Sequence, residues 1–221
     1  MPRIIDLTMP IEPHFRWRPK RELKGDFARG DRFQVTWLGL TVHGFTHIDA
    51  PRHIDPAGET TDAIALERTT GPASVIGLDG IAPDTAITGE MLAAKGGHVA
   101  AGEIVLIRTN WDRRRDHHTP AFWADAPYMT RGACAWLGEH APKAVGFDFP
   151  QDYPIRGLLG GEAAAIEDFV THDLLLRHGV VLIEYLCNMG EIGRERVTLY
   201  ALPLKLPGAD GAPARVVAVE E

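Results

Sequence analysis

The sequence predicts an α/β domain, built on a strand-rich, curved or barrel-like mixed sheet with flanking helices. Two observations lead to this prediction: strand candidates outnumber helix candidates, and the two kinds of segment are interspersed along the chain. A third is that no internal repeat and no Gly/Ser-rich linker divides the 221 residues, a length that fits one compact domain. We therefore expect a single domain over residues 1–221.

The chain is predicted to begin with an extended arm over residues 1–20. Phe15 and Trp17 give this arm two aromatic anchors. An arm of this kind could fold over an active site, embrace a second subunit or pack on its own domain, and the sequence leaves these possibilities open. Three prolines prevent a stable helix there: Pro10, Pro13 and Pro19.

The next element is predicted to be a strand over Phe33–Val42 (FQVTWLGLTV), because the segment is rich in β-branched and aromatic residues. This strand would deliver His43. Six further strands are predicted later in the chain: Ala73–Leu78, Ile104–Thr109, Ala144–Phe149, Val180–Leu186, Val197–Leu206 and Arg215–Val219.

Helix signals are fewer. Thr88 is placed to cap a helix over Glu90–Lys95, and Thr130 to cap another over Gly132–His140. A third helix is predicted over 162–177, ended by a glycine at position 179.

The composition is that of an ordinary globular protein, with 45% hydrophobic and 24% charged residues. No apolar run reaches the ~18 residues that a membrane helix needs, so no membrane partner is expected. The N-terminus lacks the apolar segment of a signal peptide, which predicts a cytoplasmic protein. The net charge of −7 argues against nucleic acid as a partner. The run Arg113–Arg115 is interpreted as a solvated loop.

Only two cysteines are present, Cys134 and Cys187, at no metal-binding spacing. We expect buried, reduced thiols rather than a disulfide framework.

The most informative segment spans residues 43–53, HGFTHIDAPRH. It contains His43, His47, Asp49 and His53, the last three at offsets of 4, 6 and 10 from the first. On a strand, even separations place side chains on one face, although Pro51 suggests that the chain turns before His53. Imidazole and carboxylate groups together suit Zn²⁺, Mn²⁺ or Fe²⁺, ions that make a nucleophile of water near neutral pH. The segment therefore predicts metal-assisted hydrolysis.

Further ligands are expected from THDLLLRHGVVLIEYLCN, which contains His172 and Glu184. Glu184 lies within an almost wholly apolar run, where burying a carboxylate is costly unless a cation compensates. His172 is a weaker candidate because other histidines compete with it, all of which look like surface residues: His117, His118, His140 and His178.

The pattern His43-Gly44-Phe45-Thr46-His47-Ile48-Asp49-Ala50-Pro51-Arg52-His53, with a later His and a Glu twelve residues after it, resembles the cyclase family of metal-dependent hydrolases, which includes arylformamidases and isatin hydrolases. Weaker similarities extend over nearly the whole chain. They are found in Asp6–Pro10, Ile104–Trp111, Phe122–Thr130 and Gly146–Asp148.

The resemblance implies a swivelling β/β/α fold with extensive oligomer contacts, in a homodimer or homotetramer. It also implies two divalent metal ions per subunit, Zn²⁺ or Mn²⁺, in a site that acts on a small-molecule substrate. Asp49 and Glu184 would bridge the two ions, and His53 would be the general acid/base. Trp17 would line the substrate pocket. The remaining ligands would be His43 and His47 on the first ion and His172 on the second.

One residue departs from the family pattern, because Phe45 stands where the family has glycine. A bulky ring beside the metals is expected to reshape the substrate pocket, so Phe45 is assigned with Trp17 to substrate binding. The implied activity is hydrolysis of a small amide, as by an arylformamidase. The sequence leaves two alternatives open: hydrolytic opening of a cyclic amide or lactone, and a non-catalytic metal-binding protein whose pocket Phe45 plugs.

Overall fold

The structure is a computed structural model that describes all residues, 1–221. It contains twelve β-strands and four short α-helices, joined by loops and 3₁₀ turns. The strands are β1 (Arg3–Asp6), β2 (Lys20–Gly25), β3 (Val35–Gly39), β4 (His47–Asp49), β5 (Thr70–Gly77), β6 (Ala86–Ile87), β7 (Ile104–Arg108), β8 (Tyr128–Met129), β9 (Ala144–Phe147), β10 (Val181–Glu184), β11 (Arg196–Pro203) and β12 (Gly211–Glu220). The helices are α1 (Gly89–Lys95), α2 (Ala121–Ala124), α3 (Arg131–Glu139) and α4 (Val170–Leu174).

Seven strands close into a mixed barrel. Their order is β12-β11-β5-β7-β9-β10-β4, and β4 pairs with β12 again to complete the ring, while β1 adds to the free side of β12. β5, β7, β9 and β10 run parallel to one another, and the remaining pairs in the barrel are antiparallel. The predicted class, a mixed α/β fold on a barrel-like sheet, is confirmed.

Two apolar clusters fill the two faces of this sheet, because successive side chains on a strand point to opposite sides. On β7, Ile104 and Leu106 belong to a cluster of 21 buried residues that includes none from the α-helices. Val105 and Ile107 belong to a second cluster of 26, together with residues of α1, α2 and α3. The first cluster therefore fills the barrel, and the second lies outside it, beneath the helices.

The six later strand predictions are confirmed as β5, β7, β9, β10, β11 and β12, although β12 begins earlier than predicted. The prediction of a strand over Phe33–Val42 is confirmed in type but wrong in extent. The strand covers only Val35–Gly39, and it pairs with β2 in a separate hairpin outside the barrel. His43 therefore lies in a turn after this strand and not on it.

Both capped helices are confirmed. The Thr88 hydroxyl accepts a hydrogen bond from the Met91 amide at the start of α1, and the Thr130 hydroxyl accepts one from the Ala133 amide at the start of α3.

The long helix predicted over 162–177 is wrong, because only Val170–Leu174 is α-helical. The Asp152 carboxylate accepts hydrogen bonds from the amide and hydroxyl of Thr171, which fixes the start of α4 at that point. This long-range cap overrides the helix propensity of residues 162–165. Gly179 ends the segment with φ +88°, as predicted.

The N-terminal segment is extended, apart from a turn over residues 14–18 that a hydrogen bond from the Arg18 amide to the His14 carbonyl closes. Its first strand, β1, pairs with β12.

No helix is both long and apolar enough to cross a membrane. Cys134 is buried, Cys187 is half-buried, and neither forms a disulfide.

Candidate metal centre

The pairing of β4 with β10 brings three acidic and imidazole side chains together. In this antiparallel pair, Glu184 lies opposite His47, and Leu182 lies opposite Asp49. Ile48 belongs to the cluster inside the barrel, so His47 and Asp49 project from the outer face. Glu184 shares that face because Leu182, two residues before it, belongs to the outer cluster. All three polar side chains are at least 95% buried.

His47 lies between the two carboxylates with one ring nitrogen free. Its Nδ1–H donates to the Phe45 carbonyl at 2.8 Å, which fixes the tautomer. Its Nε2 is 3.1 Å from Asp49 Oδ1 and 3.7 Å from Glu184 Oε2, and it is buried without a hydrogen-bond partner. Burial lowers the pKa of His47, but the nearby carboxylates of Asp49 and Glu184 outweigh burial and raise the pKa. The nitrogen therefore faces a negative environment that a cation, either a proton or a metal ion, would balance.

His172 approaches the same carboxylates from α4. Its Nε2 lies 3.5 Å from Asp49 Oδ2 and 3.7 Å from Glu184 Oε1. Its Nδ1–H donates to Asp152 Oδ2 at 2.6 Å, which turns Nε2 toward the two carboxylates. His172 is therefore oriented as metal-binding histidines usually are, with a carboxylate behind the ring.

His43 reaches the centre from its turn. Nδ1 donates to Asp49 Oδ1 at 2.6 Å, and Nε2 donates to Asp210 Oδ2 at 2.8 Å. Both of its nitrogens thus face carboxylates. Burial lowers the pKa of His43, but the hydrogen bonds and charges of Asp49 and Asp210 outweigh burial and raise the pKa to about 9.

The pKa shifts of the two buried carboxylates, Asp49 and Glu184, also indicate that positive charge would stabilise the site. Burial, together with the charge of the neighbouring Asp49 carboxylate, raises the pKa of Glu184 to about 7, against the opposing effect of nearby histidines. For Asp49, burial also favours the neutral acid, yet the surrounding histidines hold its pKa well below the ordinary value. Two adjacent buried carboxylates among three histidines form a strong cation site.

His53 lies at the mouth of the centre. Its 3₁₀ turn, Pro51–His53, follows β4 directly, which agrees with the predicted change of direction at Pro51. Its ring stacks on His43 with centroids 3.8 Å apart, and Nδ1 lies 3.5 Å from Asp210 Oδ2. About a third of its side chain, 32%, is exposed. Burial lowers the pKa of His53, so the ring is neutral near pH 7 and able to accept a proton.

The structure thus brings together all five predicted ligands and His53. Their ligand atoms form two close groups that share Asp49, one with His47 and Glu184 and one with His43 and His53. The four competing histidines lie elsewhere, at exposed or half-buried positions.

A cavity of about 400 Å³ opens over these side chains. Trp17, from the N-terminal segment, and Tyr185, directly after β10, form aromatic walls. Arg16 also lines the cavity. Apolar residues complete it: Ile54, Ile155, Leu158, Ile166 and Phe169.

Phe45 is not part of the cavity wall, contrary to the prediction that it contacts substrate or plugs the pocket. Its ring is fully buried behind Trp17, with ring centroids 4.6 Å apart. Its φ is +60°, in the left-handed region that glycine adopts without strain, and Tyr185 has a φ of +53°. Such conformations cost about 1–3 kcal/mol each and cluster at functional sites. Phe45 therefore has a left-handed conformation that a glycine would adopt without strain, and its ring packs behind the wall.

Four residues near the centre were not predicted. Gln151 donates to Glu184, Asp152 orients His172, and Asp210 joins His43 to His53. Arg16 contributes a cation to the cavity. The only signal for two of them is weak, because Gln151 and Asp152 follow β9 after three intervening residues.

The chain is similar to known proteins. The model of the Cyclase family matches residues 5–151. A kynurenine formamidase from Salinibacter ruber is 32% identical over 182 residues, which cover 81% of this chain and 77% of that protein.

Solved structures share the fold. Isatin hydrolase A from Labrenzia aggregata, bound to benzyl benzoate, has a TM-score of 0.82 at 26% identity and covers 99% of this chain and 93% of its own. A potential metal-dependent hydrolase with cyclase activity has a TM-score of 0.78 at 27% identity, covering 100% and 99%.

Proposed function

Because the chain belongs to the Cyclase family, we propose that it is a metal-dependent hydrolase that cleaves the C–N bond of a small amide, as an arylformamidase does. The observation that carries this proposal is the unpartnered Nε2 of His47, buried between the carboxylates of Asp49 and Glu184. A metal ion bound there would balance the two carboxylates, and the site opens into a cavity of substrate size.

We propose two ions per subunit, because the oxygens of each carboxylate face different histidines. Asp49 Oδ1 faces His43 and His47, whereas Oδ2 faces His172. Glu184 Oε2 faces His47, whereas Oε1 faces His172. His43, His47 and Asp49 would hold the first ion, and Asp49, Glu184 and His172 the second. Three imidazoles with two carboxylates suit Zn²⁺ or Mn²⁺.

Bound ions would lower the pKa of water toward neutrality and polarise the scissile carbonyl. His53 then passes a proton to the leaving nitrogen as general acid/base. Its neutral, partly exposed ring at the mouth of the centre suits this role, and stacking on His43 holds it in place. The aromatic and aliphatic walls exclude water from around the substrate, which strengthens these charge interactions.

The cavity suits a small substrate with an aromatic ring. Trp17 and Tyr185 both line it, and their rings pack edge to face on each other with centroids 5.1 Å apart. Phe45 contributes by packing behind Trp17, so its part in substrate binding is indirect.

Ring opening of a cyclic amide or lactone is the second candidate, favoured by the structural similarity to an isatin hydrolase. The same residues perform both reactions. The non-catalytic alternative is less well supported, because Phe45 does not plug the pocket and because His53 faces the cavity.

The test is an assay of metal-loaded protein against N-formylkynurenine, isatin and simple lactams, before and after treatment with a chelator. Hydrolysis of the linear formamide supports the leading proposal, and hydrolysis of isatin alone supports the alternative. Protein that binds the metal but hydrolyses none of the panel, nor an activated ester, would contradict both.

We also propose a homodimer or homotetramer. The hairpin of β2 and β3 lies outside the barrel and exposes apolar side chains, including 75% of Phe33 and 44% of Trp37. Exposed apolar surface of this kind is typical of protein interfaces.

Residues 1–221 are proposed as one domain, since β1 and β12, near the two termini, pair in one sheet. A cytoplasmic location is proposed from the free cysteines, which are typical of reducing compartments.

A further inference from the structure

Arg16 places a guanidinium in the wall of the cavity without a partner. Its Nη1 atom is buried and makes no hydrogen bond, and no carboxylate lies within ion-pair distance of the side chain. The guanidinium carbon lies 5.2 Å from the centre of a Trp123 ring, a cation–π contact. One unsatisfied guanidinium donor therefore lies beside the substrate cavity.

The backbone holds Arg16 in this position. The Arg18 amide donates to the His14 carbonyl at 3.0 Å, and the Arg16 amide donates to His14 Nδ1 at 3.1 Å. The opposite ring nitrogen of His14 donates to the His117 carbonyl at 2.8 Å. His14 is 6% exposed and stacks on Trp17, with ring centroids 4.4 Å apart. Arg16 is therefore carried on a turn that is anchored to the rest of the protein at a buried residue.

A fixed cation with a buried, unsatisfied donor is costly, because guanidinium groups removed from water require acceptors. The acceptors that fit its planar, forked donors best are the two oxygens of a carboxylate. Two carboxylates, Asp49 and Glu184, line the same cavity, but they face His47 and neither pairs with Arg16. A carboxylate on the molecule that enters the cavity would supply the missing acceptor.

We propose that Arg16 binds a carboxylate of the substrate, so that the preferred substrate is a small aromatic amide carrying a carboxylate apart from the amide it loses. This inference rests on the proposed function and names its substrate class. It also separates the two candidate reactions, because a neutral cyclic amide offers Arg16 no negative charge. Trp17, on the same turn, would face the aromatic part of such a molecule.

The test compares two substrates that differ in the carboxylate, 2-formamidobenzoate and formanilide, on metal-loaded protein. For Arg16→Met we expect kcat/KM for 2-formamidobenzoate to fall about 10–100-fold, the usual effect of losing a charged hydrogen bond, mainly through a higher KM. For formanilide the change should stay within about 3-fold, the ordinary context-dependent variation of one contact. Arg16→Lys keeps the charge but loses the fork, so an intermediate value is expected.

Arg194→Met is the matched control, since it removes the same charge from an exposed position before β11, away from the cavity and the β2–β3 hairpin. It should leave both substrates unaffected. Equal losses with both substrates in Arg16→Met, or no loss with either, would overturn the proposal. Arg16→Lys provides a second test in case Arg16→Met does not fold. If the folded Lys variant has the same kcat/KM for 2-formamidobenzoate and formanilide, the proposal is also overturned.

A binding measurement separates this inference from the proposed function. Benzoate binding to metal-loaded wild type and Arg16→Met is compared by calorimetry, with no turnover required. Weaker binding to the variant supports the Arg16 subsite even if the enzyme hydrolyses neither formamide. Equal affinity would contradict the subsite even if both formamides are hydrolysed.

Discussion

The Asp152 carboxylate accepts a 2.6 Å hydrogen bond from His172 Nδ1–H, and this contact decides which ring nitrogen faces the metal centre. The same carboxylate also accepts hydrogen bonds from the amide and the hydroxyl of Thr171. Asp152 thus starts helix α4 and orients the histidine that α4 carries. One buried side chain couples the fold of this segment to the chemistry of the site.

Asp152→Asn is expected to weaken metal binding about 10–100-fold, as changes behind a metal-binding histidine usually do. The asparagine oxygen can still cap Thr171, but its NH₂ group would face Nδ1 and favour the proton on Nε2, the nitrogen needed for the metal. Competition with a fluorescent chelator measures the affinity. Asp173→Asn, on the same helix but paired with Arg131 and Arg177, is the control. Unchanged affinity in Asp152→Asn would show that His172 does not bind metal through Nε2.

His53→Ala is expected to reduce kcat about 10²–10⁴-fold, the range for a positioned acid/base. Metal content by elemental analysis should remain unchanged, because the buried ligands do not need His53. His140→Ala, a half-buried histidine whose Nδ1 donates to the Trp136 carbonyl, serves as control. Full turnover by His53→Ala would remove His53 from the mechanism, whereas loss of metal would make it a ligand.

The part of the site that lies on strands could be predicted from the sequence. His47 and Asp49 flank the apolar Ile48, and Glu184 interrupts an apolar run, so the period of two and the cost of burying charge both pointed to them. Asp152 and Asp210 could not be found in this way. Each lies outside the strands, and its distance from a histidine is set only when the barrel closes.

The same distinction holds for the fold. β7, β9 and β10 can be recognised in the sequence, since parallel strands buried on both faces have nearly continuous apolar sequences. Phe33–Val42 has strand composition as well, but composition does not say which strand it pairs with. It forms a hairpin with β2, whose KRELKG sequence has no strong strand signal.

Metal uptake by chelator-treated protein is expected to release protons at pH 7.5. The pKa of about 9 for His43 means that its ring is protonated at this pH, and the pKa of about 7 for Glu184 leaves that group partly protonated. Metal ions bind the deprotonated forms, so affinity should increase as the pH rises toward 9 and decrease as it falls below 7.

Calorimetric titrations with Zn²⁺ in phosphate and in Tris count the protons, since the two buffers have different ionisation enthalpies. The variant His43→Gln should release fewer protons than wild type. Binding heats that are the same in both buffers, after correction for buffer binding to the metal, would contradict the proposed competition between metal and proton.

The exposed side chains of the β2–β3 hairpin are expected to hold the oligomer together. Phe33 and Trp37 lie on the hairpin at 75% and 44% exposure, which is unfavourable for a monomer in water. Light scattering coupled to gel filtration should show a smaller particle for the double variant Phe33→Ser/Trp37→Ser than for wild type. The barrel should remain folded, because neither side chain belongs to the two buried clusters. Leu204→Ser, which changes another exposed apolar residue away from the hairpin, should leave the mass unchanged. A wild-type monomer, or an oligomer that survives the double change, would show that the hairpin is not the interface.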